Sequence, residues 1–200
     1  MNQRSPATAR LWPAALLGGP LPERPPNLCP GCPHRGSYWV FKNALSIDGR
    51  HGLVAGDIGC YSLGFIGAGF FQERTMHCMG GGVGVANGLG NLKEFGFNQP
   101  VLAIAGDSTF FHACIPALVN GVYNKANFIF AVLDNSATAM TGFQPHPGVG
   151  RAATGDPAPK VDMEALCRAL GARVEVCDPF DLEGSTRILL DMMADESGGA

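Results

Sequence analysis

The sequence predicts an α/β fold, a three-layer α/β/α arrangement around a mostly parallel sheet. Two apolar runs carry that expectation, Val101 to Ala105 and Phe128 to Leu133. Both are short, uninterrupted and rich in strand formers, as strands buried on both faces require. Each ends in polar groups, Gly106-Asp107-Ser108 in the first and Asp134-Asn135 in the second. The third observation is the segment between them. Thr109 to Lys125 is long enough for the helical crossover that joins parallel neighbours. The two polar tips then emerge side by side at the carboxyl edge of the sheet, where open α/β folds bind ligands. Glycine lets a phosphate approach the backbone, Asp107 offers an anionic oxygen and Asn135 a neutral one. That set suits magnesium, which prefers oxygen ligands and shares them with phosphate.

The remaining elements follow in order. Residues 1–26 hold six prolines and little periodicity, and read as a tail or linker. Ser37 to Leu45 is amphipathic and reads as a helix, and Gly52 to Ala55 as a short strand ending in Gly56-Asp57-Ile58-Gly59-Cys60. Tyr61 to Gln72 has no clean period and reads as a loop near the site. Val83 to Phe95 is a helix whose Gly84, Ala86, Gly88 and Gly90 promise close packing at some cost in helix propensity. Ser136 to Gly155 is a Gly/Pro-rich loop over the site, and Asp162 caps a helix running to Leu170. Arg173 to Cys177 reads as a strand, Asp181 to Met193 as a last helix, and 197–200 as a truncated end.

Bulk properties narrow the function. Two hundred residues suit one domain, here 27–196. A net charge of −3 gives no nucleic-acid surface, and no apolar run approaches the ~20 residues of a membrane span. Leu11 to Gly18 is too short and too broken by Pro13 for an export signal, so the expected location is cytoplasmic. Seven cysteines, two of them in Cys29-Pro30-Gly31-Cys32, then favour metal or redox chemistry over disulfides.

Each motif has a plainer reading beside the chemical one. Asp107 could be no more than a helix cap. Cys29 and Cys32 could be a redox pair, though no strand precedes them, or zinc ligands, though no second pair exists. They could instead be two ligands of an iron-sulfur cluster, with Cys60 a third, or inert buried thiols. Gly82-x-Gly84 lacks the strand and third glycine of a dinucleotide fingerprint. His34, His77, His112 and His146 read as structural or hydrogen-bonding side chains.

Taken together, six motifs resemble one family. They are Cys-Pro-Gly-Cys-Pro-His-Arg-Gly at 29–36, Gly-Asp-Ile-Gly-Cys-Tyr at 56–61 and Cys-Met-Gly at 78–80, followed by Gly-Asp-Ser-Thr-Phe at 106–110. Asn-Lys-Ala-Asn at 124–127 is the fifth. The sixth is Asp134-Asn135 with Thr-Ala-Met-Thr-Gly-Phe-Gln-Pro-His-Pro-Gly at 138–148. This series, in register over about 27–190, is similar to the thiamine-diphosphate-binding domain of the 2-oxoacid:ferredoxin oxidoreductases. Within that family, the first and last motifs point to the indolepyruvate-type, arylpyruvate branch.

The resemblance implies a thiamine-diphosphate-binding fold, with magnesium held by Asp107, Asn135 and the Ala137 carbonyl. Gly106 and Ser108 would meet the phosphates, Ser108 standing where the family usually has glycine. Asp57, Gly59 and Cys60 would line the thiazolium side, and Thr138 and Thr141 would fold over the phosphates. Cys29, Cys32 and Cys60 would ligate a [4Fe-4S] cluster whose fourth ligand has no clear match. The reaction implied is oxidative decarboxylation of a 2-oxoacid to an acyl-coenzyme A, with electrons passed to ferredoxin. The activating glutamate would sit on a pyrimidine-binding domain, in the same full-length chain or a partner subunit, and a gamma/beta-type subunit would complete the enzyme. Nothing in 1–26 can supply that glutamate, so the chain reads as a fragment inactive alone. The alternatives are a non-oxidative thiamine-diphosphate-dependent decarboxylase and a non-catalytic partner domain. Phe65, Phe70, Phe71 and Phe143 are candidates for an aromatic substrate pocket or for simple lids.

Overall fold

A computed structural model describes residues 25–195. The expected tail lies outside these residues except for Pro25 and Pro26, and so does 197–200. Four strands form one parallel sheet in the order β2-β1-β3-β4. They are β1 (Leu53–Ala55), β2 (Glu73–Thr75), β3 (Val101–Gly106) and β4 (Ile129–Leu133). The long register of β3 on β4, from Leu102↔Ile129 to Gly106↔Leu133, brings the two polar tips level.

Strand β3 is buried along all six residues, and its alternation builds the two outer layers. Leu102 and Ile104 face a core made with α1 (Pro33–Asp48) and the final helix, α6 (Leu182–Ala194). Val101, Ala103 and Ala105 face α2 (Gly81–Gly90) and α4 (Ile115–Tyr123), with α5 (Met163–Ala169) packed outside them. The three-layer expectation is borne out. The second face is lined by small side chains, and α2 comes very close: a Cβ on Gly82 would lie 2.6 Å from the Gly56 carbonyl oxygen. Gly90 is pressed likewise against Asn127, whereas Gly84 and Gly88 face open space, so only part of the small-residue pattern serves packing.

The helix expected over Val83 to Phe95 ends at Gly90, and two further segments depart from expectation. Glu73-Arg74-Thr75 forms β2 directly after the Tyr61 to Gln72 stretch, where no strand was expected, and pairs in parallel with β1. Its polar composition hides it, because Glu73 is 3% exposed yet carries a carboxyl group. Arg173 to Cys177 is not a strand. Val174 and Val176 share the wall of a cavity of about 650 Å³ with Phe130 and Val132 of β4, and the Val174 carbonyl accepts from Arg168 Nη2 at 2.8 Å. A cavity there leaves no ladder between the two backbones.

Burial of Glu73 has a titration consequence. The Tyr38 hydroxyl has one proton and two acceptors, the Tyr61 carbonyl and Glu73 Oε1 at 2.5 Å. A protonated Glu73 satisfies both contacts, since its own O–H supplies the second. Burial pushes this carboxyl from 4.5 up to about 7, against the Tyr38 hydrogen bond, which pulls the other way. The folded state therefore holds the proton more tightly than the unfolded chain. That stabilisation is complete below 4.5 and lost as pH rises through 7, by on the order of 3 kcal/mol. Chemical denaturation of wild type and Glu73→Gln between pH 5 and 8 should show the two stability curves diverging, with only wild type losing this increment.

Candidate functional site

Chain order reverses between β1 and β3: β1 leads outward to β2, and β3 outward to β4. Open α/β sheets bind ligands at such a switch point. Here the carboxyl ends of β1 and β3 open into a cavity of about 100 Å³. It is lined by Gly59, Cys60, Gly106, Asp107, Ser108, Asn135, Ala137, Thr138 and Thr141, so the structure brings these nine expected residues around one hollow. The larger cavity beside β4 is not at the switch point, although it shares the Asp134–His146 side of the covering loop.

Asp107 begins the helical segment directly after β3. Helix α3 (Asp107–Thr109) runs through a π-helical turn (Phe110–Cys114) into α4. Its carboxylate, 2% exposed, gathers backbone donors: Ser108 N–H to Oδ1 at 2.8 Å, and Asn135 and Ala137 N–H to Oδ2 at 3.3 and 3.2 Å. The Ala137 N–H is also 3.2 Å from Asn135 Oδ1, so the acid of β3 and the amide of β4 meet at one backbone nitrogen. Burial pushes the Asp107 carboxyl up, opposed by the Ser108 N–H; the neighbouring Asp134 adds to the rise. Among the described residues no lysine or arginine lines the cavity. A desolvated carboxylate beside a neutral amide oxygen and a second carboxylate is a set that a hard divalent cation fits. The cap reading of Asp107 is not met: the N-cap residue is Gly106, without a side-chain cap bond, and Asp107 accepts only from its immediate neighbour Ser108 within the helix.

The covering loop is held to this centre by short-range bonds. Ser136 turns the chain with φ 59°, and its N–H donates to Asp134 Oδ1 at 2.8 Å. The left-handed turn aims the next amide, Ala137, back at Asp107. Thr138 Oγ1 donates to Ser108 Oγ at 2.8 Å, a bond that glycine at 108 could not make. Thr141 Oγ1 donates to Gln144 Oε1 at 2.6 Å and closes the tip of the loop.

Asp57, expected on the thiazolium side, backs the cavity and does not line it. Fully buried, it accepts from Ile58 N–H at 2.6 Å and Gly80 N–H at 2.7 Å, and so ties the tip of β1 to the start of α2. Burial raises its pKa, and the backbone donors of Ile58, Gly80 and Gly82 pull it down. None of Phe65, Phe70, Phe71 and Phe143 lines the cavity; Phe71 and Phe143 are exposed, and Phe70 packs edge-on to Trp39.

Cys60 lines the cavity, while Cys29 and Cys32 lie at the entrance to α1, Cys32 as its N-cap residue. Burial pushes the Cys60 thiol up, and Cys32 and Cys29 add to the shift, so the three are electrostatic neighbours. Among the described residues, however, no three Cys, His, Asp or Glu side chains converge to hold a metal ion. Among the described residues the trio is not a closed cluster site.

Three side chains at the site were not among the expected site residues, although His34 and His146 were read as structural or hydrogen-bonding and Tyr61 as part of a loop near the site. His34 lines the cavity, and burial lowers its pKa. Tyr61 bonds Thr109 Oγ1 and the Ile58 carbonyl, each at 2.8 Å, and its ring occupies the space that a Cβ on Gly106 would need, 2.6 Å from Cε1. His146 lies against Asp107, with Nε2 3.1 Å from Oδ2. The motif positions of all three were visible, but their contacts come from segments far apart in sequence.

Residues 57–198 match the family described as thiamine pyrophosphate enzyme, C-terminal TPP binding domain. The chain is 42% identical over 174 residues to indolepyruvate oxidoreductase subunit IorA of Archaeoglobus fulgidus, across 86% of this chain and 27% of that protein. It is 41% identical over 181 residues to the IorA subunit of Methanothermobacter marburgensis, across 88% of this chain and 28% of that protein. It thus spans about a quarter of the length of the curated relatives it matches. In fold it is similar to 2-oxoglutarate:ferredoxin oxidoreductase from Magnetococcus marinus, with TM-score 0.70 at 19% identity, over 88% of this chain and 62% of that one. It is also similar to benzoylformate decarboxylase from Polynucleobacter necessarius, with TM-score 0.56 at 18% identity, over 88% and 34%.

Asp57→Ala should leave two buried N–H groups without an acceptor and lower stability by about 2–3 kcal/mol, read by urea denaturation. Asp57→Asn keeps one accepting oxygen and should cost less.

Proposed function

Because the chain belongs to the family of C-terminal thiamine-pyrophosphate-binding domains of thiamine pyrophosphate enzymes, we propose that it is the diphosphate-and-magnesium half of an indolepyruvate-type 2-oxoacid:ferredoxin oxidoreductase. The observation that carries the reading is the meeting of the Asp107 carboxylate and the Asn135 amide oxygen at one backbone N–H, at the switch point. Asp107, Asn135 and the Ala137 carbonyl would hold Mg²⁺. Gly106 and Ser108 would meet the diphosphate, with Thr138 and Thr141 closing over it. Asp57 would keep the tip of β1, and with it Gly59 and Cys60, in register beside the thiazolium.

Bound thiamine diphosphate supplies the carbon nucleophile and the electron sink that decarboxylation of a 2-oxoacid needs. The chain's own residues would orient and enclose it. The N–H groups of Ser108, Asn135 and Ala137 fix the acid, the Tyr61 ring fills the space beside Gly106, and the Thr138–Ser108 bond would hold the loop over the phosphates.

A second domain belongs to the proposal. Among the described residues no glutamate lines the cavity, and the resemblance assigns the activating acid to a pyrimidine-binding domain. The hollow of about 100 Å³ is also below the ~300 Å³ of an ordinary small-molecule site, as expected of one wall of a shared site. Met79 and Met140 line it while about half exposed, an apolar rim suited to such a partner. Coenzyme A as acyl acceptor, a gamma/beta-type partner subunit and ferredoxin as electron acceptor complete the reading, supported by the 42% identity to the Archaeoglobus subunit. Cys29, Cys32 and Cys60 are proposed to ligate a [4Fe-4S] cluster once a fourth ligand joins them, supported by their mutual electrostatic proximity. Free thiols at all seven cysteines support a cytoplasmic setting, and among the described residues no helix is long and apolar enough to cross a membrane.

The test is calorimetric titration of the complete enzyme with thiamine diphosphate, with and without Mg²⁺, alongside arylpyruvate- and coenzyme-A-dependent reduction of a one-electron dye. Asp107→Ala should weaken Mg²⁺-dependent binding by a factor of about 100 or more, roughly 3 kcal/mol. It should also abolish turnover, and the isolated chain should show none. Wild-type affinity in the Asp107→Ala enzyme would remove the metal-site reading, and carbon dioxide release without dye reduction would identify a non-oxidative decarboxylase.

A further inference from the structure

His146 lies on the covering loop, in the run Gln144-Pro145-His146-Pro147-Gly148, and its side chain is 2% exposed. The ring is clamped. It stacks on Phe111, with centroids 5.7 Å apart and planes 27° from parallel. Gly148 closes in beside both: a Cβ there would stand 2.8 Å from Phe111 and 3.0 Å from His146 Cε1. Phe111 belongs to the π-helical turn that follows α3. Such turns are rare and gather at functional sites, because the extra residue re-aims the side chains it carries.

The hydrogen bonds fix the tautomer. Gly148 N–H donates to Nδ1 at 3.2 Å, so in the neutral ring the proton sits on Nε2. Nε2 is 3.1 Å from Asp107 Oδ2, off the line of a full hydrogen bond, and has no other partner among the described residues. A buried donor in that state is costly to leave unsatisfied. The acceptor within reach is the carboxylate already assigned to the cation.

We propose that His146 is the positioning residue for Asp107: its clamped Nε2–H holds the carboxylate toward the cavity, so that a divalent cation meets an oriented ligand. The imidazole itself takes no place on the cation. The proposal rests on the reading of Asp107 as a metal ligand, and it adds a residue that acts through the carboxylate rather than on the cofactor. Groups behind metal ligands have this effect generally, and their loss typically lowers metal affinity by a factor of about 10–100.

The probe is Mn²⁺, titrated by electron paramagnetic resonance into the complete enzyme with thiamine diphosphate present. His146→Met keeps the bulk and removes the donor, and should weaken Mn²⁺ binding about tenfold. His146→Gln places an amide N–H₂ near the Nε2 position and should recover affinity to within about threefold of wild type. Wild-type affinity in His146→Met overturns the proposal. So does a His146→Gln as weak as His146→Met, since the side chain would then serve packing alone. If His146→Met fails to fold, Phe111→Leu tests the same claim through the lost stacking: a loss of about threefold or more is expected, and unchanged affinity overturns it. Asp107→Asn separates the two levels. If it leaves Mn²⁺ binding intact, the metal-ligand reading fails; if it abolishes binding while His146→Met keeps wild-type affinity, only the positioning role fails.

Discussion

The structure depends on one buried charge. The Asp107 carboxylate sits at the tip of the central strand, out of solvent and, among the described residues, without a lysine or arginine at the cavity. A desolvated carboxylate is tolerated only when donors or a cation compensate it. Backbone N–H groups of Ser108, Asn135 and Ala137 do part of this, and they come from two different strand tips. The acid therefore holds β3 and β4 in register at their carboxyl ends, and the same arrangement leaves it ready for a divalent cation. Fold stability and ligand chemistry share an anchor.

Around that anchor, space is set by contacts between distant segments. The Tyr61 ring presses on Gly106, so glycine at the end of β3 is demanded by an aromatic neighbour as well as by any phosphate. Gly82 lets α2 reach the Gly56 backbone, where Asp57 takes the N–H groups at the helix start. Two buried aspartates thus do different work at equivalent strand tips. Asp57 binds protein to protein, with its acceptors occupied by backbone donors. Asp107 is bordered by an amide oxygen, a second carboxylate and an imidazole, and its surroundings attract positive charge.

Much of the fold was legible because the signals were local. Buried parallel strands need continuous apolar runs, and β3 and β4 have them. Helices α5 and α6 announce themselves through Asp162 and Asp181, whose side chains accept from Ala165 and Gly184 N–H groups as caps do. Strand β2 was illegible for the opposite reason: a strand containing a glutamate reads as exposed, and only pairing with Tyr38 makes its burial tolerable. The alternation in Arg173 to Cys177 reads as a strand, but pairing needs a neighbour within hydrogen-bond reach, and a cavity intervenes.

The sequence by itself determined the α/β class, the pairing of two polar tips at one sheet edge, and the residue types that suit a metal-held diphosphate. These follow from spacing and hydrophobic period, which are properties of neighbours along the chain. The tertiary structure alone decided that Asp57 turns away from the cavity while Asp107 lines it, that Gly106 faces a tyrosine ring, and that His146 is wedged against the acid. Those outcomes depend on which distant surfaces meet and at what distance, and no local pattern encodes a distance across the fold.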